Sequence, residues 1–289
     1  MFSYFFHKIG EKPKITMVIL VKNEEDIIGE NIQFHFHLGV DNFVIMDNNS
    51  DDKTKEIINS LKKRIPITLI EEKAPYAQSK FMTQLNKIAQ RKYNPDWIIN
   101  SDADEFWVPQ QGSSLKEVLN FKGGVLKVPR SNMILYQGLN RWKESEYRVA
   151  NQIFYRENLE GGNIILGTIG RKVIVNPHGY IKTNSGNHSA EHIAFWRKRE
   201  FSKIHIYHYP IRSYQQFERS IINRVKLLKI GAKMGSHYKK WAKLYEEGKL
   251  KEEFEKMVFD GDKIQCLEEV NILKKDTTPK SLFKQFGLL

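Results

Sequence analysis

Residues 97–107 read WIINSDADEFW, an apolar run that leads directly into three carboxylates. The run at 97–100 is typical of a buried strand, and carboxylates at its end are costly unless they reach solvent or a cation. Asp102 and Asp104, two residues apart at a strand end, can both face one hard cation such as Mg²⁺ or Mn²⁺. An acidic turn that only caps a helix is the alternative, because Asp-x-Asp triplets are common.

The residues before this segment alternate between apolar runs and amphipathic patterns. Strands are predicted at 15–21, 43–46, 67–70 and 97–100. Helices are predicted at 23–38, 52–63 and 76–92. This alternation predicts an α/β fold with an open, mostly parallel sheet that is covered on both faces.

Polar residues follow three of the predicted strands. They are Lys22, Asn23 and Glu25 after the first strand, residues 47–52 after the second and residues 102–105 after the fourth. Sheets of this kind bind ligands at the carboxyl ends of their strands, so we expect these groups to meet at one edge. That placement favours a ligand site over a helix cap for the acidic cluster.

The ordered motifs resemble those of the GT-A glycosyltransferases, and most closely a family 2-like group. The motifs are VKNEE at 21–25, GVD at 39–41, DNNSDD at 47–52 and DADEF at 102–106, with further similarity in RKVI at 171–174 and HYPIRS at 208–213. The resemblance implies a GT-A-type, Rossmann-like mixed sheet flanked by helices, followed by a C-terminal helical region. We expect a catalytic domain at 1–211, with a nucleotide-binding half at about 14–109 and an acceptor half at about 110–211, and a basic helical region at 212–289.

The resemblance also implies roles for individual residues. The implied nucleotide-binding residues are Val21, Asn23, Glu25, Asp47 and Asp102, and the implied metal ligands are Asp102 and Asp104. Asp47 can accept hydrogen bonds from a uracil N–H or from ribose hydroxyls, and its alternative role is a helix cap or turn. For Ser50, Asp51 and Asp52 the capping role is favoured.

Other candidates are weaker. Lys80, at the start of a predicted helix, is suited to contact a phosphate or the metal-site carboxylates, and a solvated lysine is the alternative. GT-A enzymes often add a histidine to the metal, and His188 and His208 are the candidates for that ligand. Each histidine has the alternative of being packed or simply exposed.

An inverting transfer needs a general base near the sugar. Glu191, Glu160 and Glu105 are the candidates, and Glu191 is favoured because it follows a Gly/Asn/Ser-rich loop. Arg171, Lys172, Arg212 and Arg219 could bind a diphosphate or an anionic acceptor, or could be surface charges.

The composition of the 289 residues limits the partners. The net charge of +12 suits phosphorylated sugars, anionic lipid or nucleic acid, but no zinc-finger or RNP-like pattern is present, so nucleic acid is not expected. The single cysteine, Cys266, excludes an intrachain disulfide, and no apolar run approaches the ~20 residues of a membrane span. We therefore expect a cytoplasmic protein. The basic-aromatic stretch from Tyr238 to Trp241 suits peripheral contact with the inner face of the membrane, whereas the nearby Glu246, Glu247, Glu252 and Glu253 argue against it.

The leading hypothesis is a metal-dependent, hexosyltransferase-like glycosyltransferase of polysaccharide biosynthesis. It would move a sugar, with inversion, from a nucleotide-sugar, most simply a UDP-sugar, to a glycan or glycolipid acceptor such as lipopolysaccharide or capsule. A nucleotidyltransferase is a second hypothesis, disfavoured because the loop after the first strand has no glycine before Gly29. A non-catalytic module that binds polyanions or glycans is the third, and the acidic cluster argues against it.

Overall fold

The computed structural model describes residues 12–151, 163–167, 169–229, 231 and 235–289. The chain divides into two compact units. Among the described residues, the first takes in those up to 130 together with 170–207, and the second takes in those within 131–169 and 208–287. Residues 131–169, which we assigned to the acceptor half, thus cluster with the C-terminal helices, and the predicted domain limits remain a prediction.

The elements of both units follow the chain in a fixed order. The strands are β1 (Ile15–Val21), β2 (Asn42–Asp47), β3 (Ile67–Glu71), β4 (Trp97–Ser101), β5 (Glu105–Pro109), β6 (Val125–Val128), β7 (Arg130–Asn132), β8 (Leu135–Tyr136), β9 (Tyr147–Val149), β10 (Lys172–Val175), β11 (Tyr180–Thr183), β12 (Ala190–His192), β13 (Lys198–Glu200), β14 (Ile204–His208), β15 (Val258–Phe259) and β16 (Leu273–Lys275). The helices are α1 (Ile28–His37), α2 (Thr54–Leu61), α3 (Gln78–Tyr93), α4 (Leu115–Val118), α5 (Tyr214–Lys229), α6 (Ser236–Glu246), α7 (Leu250–Glu255), α8 (Gly261–Glu269) and α9 (Thr278–Gln285).

The first unit is built on one mixed sheet. Seven strands of the described residues form it in the order β13-β6-β10-β4-β1-β2-β3. Strands β3, β2, β1 and β4 run parallel, β10 is antiparallel to both β4 and β6, and β13 is parallel to β6. The α/β prediction of a Rossmann-like mixed sheet with flanking helices is confirmed.

Both faces of the parallel strands are buried. On one face Val18, Val44 and Ile98 pack against Phe81 and Leu85 of α3. Alternate residues of a strand point to opposite faces, and the alternates on β1 and β2, such as Met17, Ile19, Phe43 and Ile45, are also inaccessible to solvent. This two-sided burial explains why the strands are nearly continuous apolar runs in the sequence.

Some predicted boundaries and caps differ from the structure. Helix α1 begins at Ile28 rather than at residue 23, because the preceding loop is bound to the neighbouring β2–α2 loop. The spacing of Ser114 and Glu117 predicts a capping box, but Ser114 makes no side-chain cap hydrogen bond, so that prediction is wrong. Ser113 is the residue that donates to the Glu117 carboxylate, from both its backbone N–H and its hydroxyl, at 3.0 and 2.9 Å.

The second unit is mainly helical and has its own apolar core. Phe217 of α5, Trp241 of α6 and Phe259 of β15 are among its buried residues. The lysine- and glutamate-rich sequence from Tyr238 to Met257 predicts one helical stretch, but the structure has two helices there, α6 and α7. They are separated at Gly248, whose φ of +73° belongs to the left-handed region that glycine tolerates. Among the residues that the structure describes, no helix is long and apolar enough to cross a membrane.

Candidate functional site

The polar residues predicted to meet lie at the carboxyl edge of the sheet. Val21 is in register with Asp47, and Asp47 is in register with Glu71. Ser101, the last residue of β4, is in register with Ile19, so Asp102 emerges at the same edge. The sequence expectation that three strand ends converge is therefore met by the strand register.

Asp47 is buried at this edge with one half of its carboxylate unused. Its Oδ1 accepts a hydrogen bond from the backbone N–H of Ser50 at 3.0 Å. Its Oδ2 is buried and has no hydrogen-bond partner among the described residues. A buried acceptor of this kind is destabilising unless a ligand or water supplies the donor. The Oδ2 atom of Asp47 is therefore available to accept a hydrogen bond from a ligand.

Asn23 joins the loop after β1 to the loop after β2. Its Nδ2 donates to Asp51 Oδ1 at 2.7 Å, its Oδ1 accepts from the Asp51 backbone N–H at 2.9 Å, and its own backbone N–H donates to Ser50 Oγ. The φ of Asn23 is +57°, a left-handed conformation that asparagine adopts more readily than most residues. The side-chain amide of Asn23 is thus committed to Asp51.

Glu25 makes a parallel connection between the same two loops. Its Oε2 accepts from the Lys53 backbone N–H at 3.0 Å, and its backbone N–H donates to Asp52 Oδ2 at 3.2 Å. Asp52 also accepts from the Thr54 backbone N–H at the start of α2, although the N-cap residue of that helix is Lys53. Ser50 and Asp51 bind Asn23 in addition to forming the turn.

A buried charge network lies behind Asp102. Lys172, 1% exposed, donates to Asp102 Oδ2, and its Nζ lies 3.2 Å from Glu105 Oε1. Arg130 Nη1 donates to the same Glu105 oxygen at 2.7 Å, and Glu105 Oε2 accepts from the Asp102 backbone N–H at 3.1 Å. The Glu105 side chain is fully buried. Both carboxylate oxygens of Glu105 are held by donors, so it is poorly suited to be the general base.

Asn187 supplies a second contact to Asp102. Its Nδ2 donates to Asp102 Oδ1 at 3.0 Å, and its Oδ1 is buried with no hydrogen-bond partner in the described part of the chain. The loop that carries Asn187 is anchored through Thr183, whose hydroxyl donates to Asn100 Oδ1 at 3.2 Å and whose carbonyl accepts from Ser79. Asn100 in turn accepts from Asn86 of α3 at 2.6 Å. This polar ladder fixes the loop against both β4 and α3.

His188 follows Asn187 and lies between two glycines. A Cβ at Gly170 would meet His188 Nδ1 at 2.8 Å, and a Cβ at Gly186 would meet its Nε2 at 2.6 Å. The His188 Nδ1–H donates to the Arg171 carbonyl at 2.8 Å, so Nε2 carries the lone pair. Only residues without a side chain leave room for the ring.

The surroundings of His188 lower its pKa, which favours the neutral ring. Burial lowers its pKa, and the neighbouring Lys172 and Arg130 cations lower it further, while the hydrogen bond to the Arg171 carbonyl and the charge of Asp102 oppose them. A neutral imidazole with a free Nε2 can act as a metal ligand or as a hydrogen-bond acceptor.

The donor atoms near Asp102 include oxygens of the kind that bind divalent cations. Within the described ranges no group of three or more His, Cys, Asp or Glu side chains is placed to hold a metal. Asn187 and Asp102 are nevertheless hydrogen-bonded to each other. The Asp102 carboxylate therefore lies next to a residue whose Oδ1 has no hydrogen-bond partner among the described residues. Mg²⁺ is usually held by one or two carboxylates together with substrate phosphates, so this oxygen set fits a cation that is shared with a ligand.

Two further candidates lie in the first unit but outside this cluster. Lys80 is exposed and lines a groove of 720 Å³ with other basic side chains, among them Lys87 and Arg91. Glu191 is exposed on the β11–β12 hairpin and is paired across it with Lys182 at 2.9 Å. Their proposed phosphate and base roles remain predictions.

The remaining candidates are in the second unit or outside the described residues. The Nδ1 of His208 is hydrogen-bonded to Asn132 Oδ1 at 2.6 Å, and Arg212 donates to the Tyr209 carbonyl at 3.0 Å. Glu160 lies outside the described residues. Metal binding by His208 stays a prediction.

Comparison with known families identifies the chain. A sequence model described as Glycosyltransferase family 92 matches residues 17–258, which is most of the chain and includes every site residue discussed above. The protein belongs to glycosyltransferase family 92. The predicted glycosyltransferase is thereby confirmed, and its family is 92 where the motifs had suggested a family 2-like group. A search of curated proteins found no match.

Solved structures with a similar chain path are distant from this family 92 member. The 1–349 fragment of S. aureus TarS is 14% identical with a TM-score of 0.43, and the match covers 79% of this chain and 68% of that one. The same fragment in complex with UDP-GlcNAc is 12% identical at a TM-score of 0.43, covering 79% and 70%. The longer TarS chain is covered to 42%. Glucosyl-3-phosphoglycerate synthase from Mycobacterium tuberculosis, in complex with Mn²⁺, UDP and glucosyl-3-phosphoglycerate, is 16% identical at a TM-score of 0.30, covering 43% and 50%.

The site of this family 92 member contains residues whose roles the sequence did not indicate. Arg130 and Asn187 reach the acidic cluster from positions distant along the chain, and no local pattern marks them. Lys172 was considered as an anion-binding residue, but its ammonium is turned onto Asp102 and Glu105. The one available signal was a lysine at the start of the apolar run KVIV, since a buried lysine needs a carboxylate partner.

Proposed function

We propose that this glycosyltransferase is metal-dependent and inverts the anomeric carbon as it transfers a hexosyl group from a UDP-sugar to a glycan or glycolipid acceptor. Lipopolysaccharide or capsule is the proposed class of acceptor, and the cytoplasmic face of the membrane is the proposed location. The observation that carries the donor assignment is the unfilled, buried Oδ2 of Asp47 at the carboxyl edge of the sheet.

Asp47 is suited to a nucleoside because it presents an acceptor and no donor. An ionised carboxylate can take a hydrogen bond from the uracil N–H or from a ribose hydroxyl, and such charge-assisted bonds are the stronger kind. Val21 lies in register beside it, and its carbonyl already accepts from Asn48. Asn23 and Glu25 support this pocket through the loops that they join.

Asp102, Asp104 and the free Oδ1 of Asn187 are the proposed oxygen ligands of Mn²⁺ or Mg²⁺, with His188 Nε2 as a further candidate. The cation would supply Lewis-acid neutralisation of the charge on the departing diphosphate. Lys172 holds Asp102 in place from behind, and Glu105 fixes the Asp102 backbone. These residues therefore orient one carboxylate toward the ligand.

The transfer makes one bond and breaks one. The acceptor hydroxyl oxygen attacks the anomeric carbon while the bond from that carbon to the β-phosphate oxygen breaks, and UDP departs with the electron pair. The hydroxyl proton passes to a general base, for which Glu191 is the remaining candidate within the described residues. Lys80 and the cations of its groove are the proposed contacts for phosphate or for an anionic acceptor.

Thermal denaturation of the full chain with UDP, GDP, CMP and UDP-sugars, each with and without Mn²⁺, tests this proposal. A ligand that binds only the native state raises the melting temperature, so we expect a rise with uridine nucleotides that increases when Mn²⁺ is present. A rise with GDP or CMP alone would overturn the uridine assignment.

The other two hypotheses give different outcomes. A nucleotidyltransferase would release pyrophosphate from a nucleoside triphosphate, whereas the proposed reaction releases UDP. A binding module would show salt-sensitive affinity for polyanions with no metal-dependent nucleotide response. Membership of a glycosyltransferase family argues against both.

A further inference from the structure

The loop between β12 and β13 exposes three large apolar side chains together. Ile193 is 67% exposed, Phe195 75% and Trp196 68%. The two aromatic rings touch edge to face, with centroids 5.2 Å apart. Clustered apolar side chains on a surface mark a contact with a protein or a membrane more often than isolated ones do.

This loop is held in place on both sides. The Ile193 backbone N–H donates to the Gly179 carbonyl at 2.8 Å, the Ala194 N–H donates to His192 Nδ1 at 2.9 Å, and the Arg197 N–H donates to the Ala194 carbonyl at 3.0 Å. Strand β13 then pairs with β6. The exposure of the rings is therefore fixed by the backbone.

The loop lies at the end of the sheet opposite the acidic cluster. Lys198 is in register with Val125, Val125 with Val175, and Val175 with Ile98 at the start of β4. Asp102 follows the other end of β4, about 13 Å further along the strand direction at about 3.3 Å per residue. An acceptor sugar stacked on these rings would be too far from the reaction, so they are not an acceptor platform.

This end of the sheet, which we call the amino edge because β1 to β4 start there, is strongly basic. Arg197 and Lys198 follow the aromatic pair and are exposed. Other exposed cations precede β1, β3 and β4, and they are Lys12, Lys14, Lys62, Lys63, Arg64 and Lys92.

The acidic groups of the amino edge already have partners. Asp41 accepts from the Ile15 N–H and pairs with Lys116, Asp96 accepts from the Lys14 N–H, and Glu117 accepts from Ser113. Asp96 and Glu117 keep their negative charge in these hydrogen bonds, but the eight exposed cations named above outnumber them, so the net charge of the amino edge is positive.

We propose that the amino edge docks onto an anionic lipid bilayer, with Ile193, Phe195 and Trp196 inserted at the headgroup level and the surrounding cations against the lipid phosphates. Aromatic rings prefer the membrane interface, and basic residues near an anionic surface add to the attraction. A soluble polyanion would bind the cations but would make no contact that explains the exposed apolar side chains.

The basic-aromatic stretch favoured by the sequence is a weaker alternative. Trp241 is 7% exposed and packs against Phe217, with ring centroids 5.0 Å apart, and Tyr238 lies under Arg224. These rings belong to the core of the second unit, so they are not available for insertion.

Co-sedimentation of the full chain with vesicles tests the proposal. Vesicles of phosphatidylcholine alone are compared with vesicles that also contain phosphatidylglycerol, and the wild-type chain is expected to bind the second kind. The double variant F195S/W196S should lower that affinity by about tenfold or more, because the rings supply most of the inserted apolar area. Val270→Ser, which removes a 58% exposed apolar side chain from the second unit, is the matched control and should bind as wild type does.

A charge variant and a soluble polymer separate the outcomes. R197E/K198E should also weaken vesicle binding, and added salt should reduce it. Equal vesicle binding by wild type and F195S/W196S, or no binding by either, overturns the proposal. Binding to dextran sulfate that is unaffected by F195S/W196S, without vesicle binding, would assign the surface to a soluble polyanion instead.

Discussion

Lys172 and Asp102 form an ion pair between a lysine that is 1% exposed and a carboxylate that is 32% exposed. One side of the pair is dry, and the other faces solvent at the edge where a ligand would enter. Because Lys172 also reaches Glu105, one ammonium sets the position of two carboxylates. The acidic cluster read from the sequence is thus half of a charge-balanced arrangement.

Lys172→Met should destabilise the fold. The change removes the ammonium that neutralises both Asp102 and the buried Glu105, and breaking a buried pair costs about 3 kcal/mol. Urea denaturation measures this loss. Lys182→Met is the matched control, since its pair with Glu191 is 49% exposed on both sides and should contribute less than about 1 kcal/mol. Equal losses in the two variants would contradict the buried network.

Asp102→Ala and Asp104→Ala should each reduce sugar transfer by about a hundredfold or more, because stabilisation of the leaving diphosphate is worth several kcal/mol. Initial rates of UDP release at several Mn²⁺ concentrations measure this effect. Asp262→Ala removes an exposed carboxylate of α8 and should leave the rate unchanged. Full, metal-independent turnover by either site variant would refute the assigned role.

Asp47→Asn should weaken UDP binding without weakening the fold. The amide keeps an acceptor for the Ser50 N–H but replaces the free acceptor Oδ2 by a donor, so affinity should fall by about tenfold or more. The free energy of unfolding should stay equal or rise, because a buried amide costs less than an unpaired carboxylate. Calorimetric titration and urea denaturation measure the two quantities. Asp262→Asn, at an exposed position of α8, should change neither. A parallel loss of both in Asp47→Asn would indicate a structural role alone.

Gly186→Ala should disturb His188 as well as strain the backbone. Gly186 has a φ of +74°, and Gly248 has nearly the same φ, +73°, with no described atom within 4 Å of an added Cβ. The left-handed backbone should lower the free energy of unfolding of each alanine variant by about 1 kcal/mol. Any larger decrease in Gly186→Ala is then due to displacement of the His188 imidazole. Thermal melting and Mn²⁺-dependent UDP affinity are the readouts. Identical behaviour of the two variants would remove His188 from the site.

His35 should make the fold sensitive to acid. Burial lowers its pKa to about 3, against the opposing effect of the hydrogen bond from its Nδ1–H to the Asn31 carbonyl, and its Nε2 accepts from the Trp107 N–H at 2.9 Å. The unfolded chain takes up a proton below pH 6.5 and the native one does not. The native state is therefore fully stable with respect to this titration above pH 6.5. The free energy of unfolding decreases as the pH falls from 6.5 to about 3, because only the unfolded chain binds the proton.

His35→Gln keeps an acceptor for Trp107 but does not titrate. From pH 7 to pH 5 the free energy of unfolding of wild type should fall by about 2 kcal/mol more than that of the variant, since each pH unit below 6.5 costs about 1.4 kcal/mol. Urea denaturation at both pH values measures the difference. Parallel pH profiles would show that His35 is protonated in the native state.

The parallel core of the first unit was predictable because its signal is local. Strand β1 was predicted with the bounds that the structure shows, and the strand ends at Asp47 and Asp102 followed from the order of the elements. The start of α1 was not predictable from the sequence. It depends on hydrogen bonds from residues 23–25 to residues 50–54, which no periodicity of the sequence indicates.

The candidate site was predictable only where it lies on those strands. Lys172 and Asn187 contact Asp102 from 70 and 85 residues further along the chain. These two contacts form because β10 pairs antiparallel with β4 and because Thr183 bonds to Asn100. Both are tertiary contacts that local sequence patterns do not predict.

The two reciprocal hydrogen bonds between Asn23 and Asp51 affect how tightly a nucleoside would bind. Both loops at the edge beside Asp47 are already in a single backbone arrangement before any ligand arrives. Ordering a loop on binding costs about 1 to 2 kcal/mol of conformational entropy for each residue fixed. That cost has been met during folding here, so more of the contact energy with a nucleoside would remain as affinity.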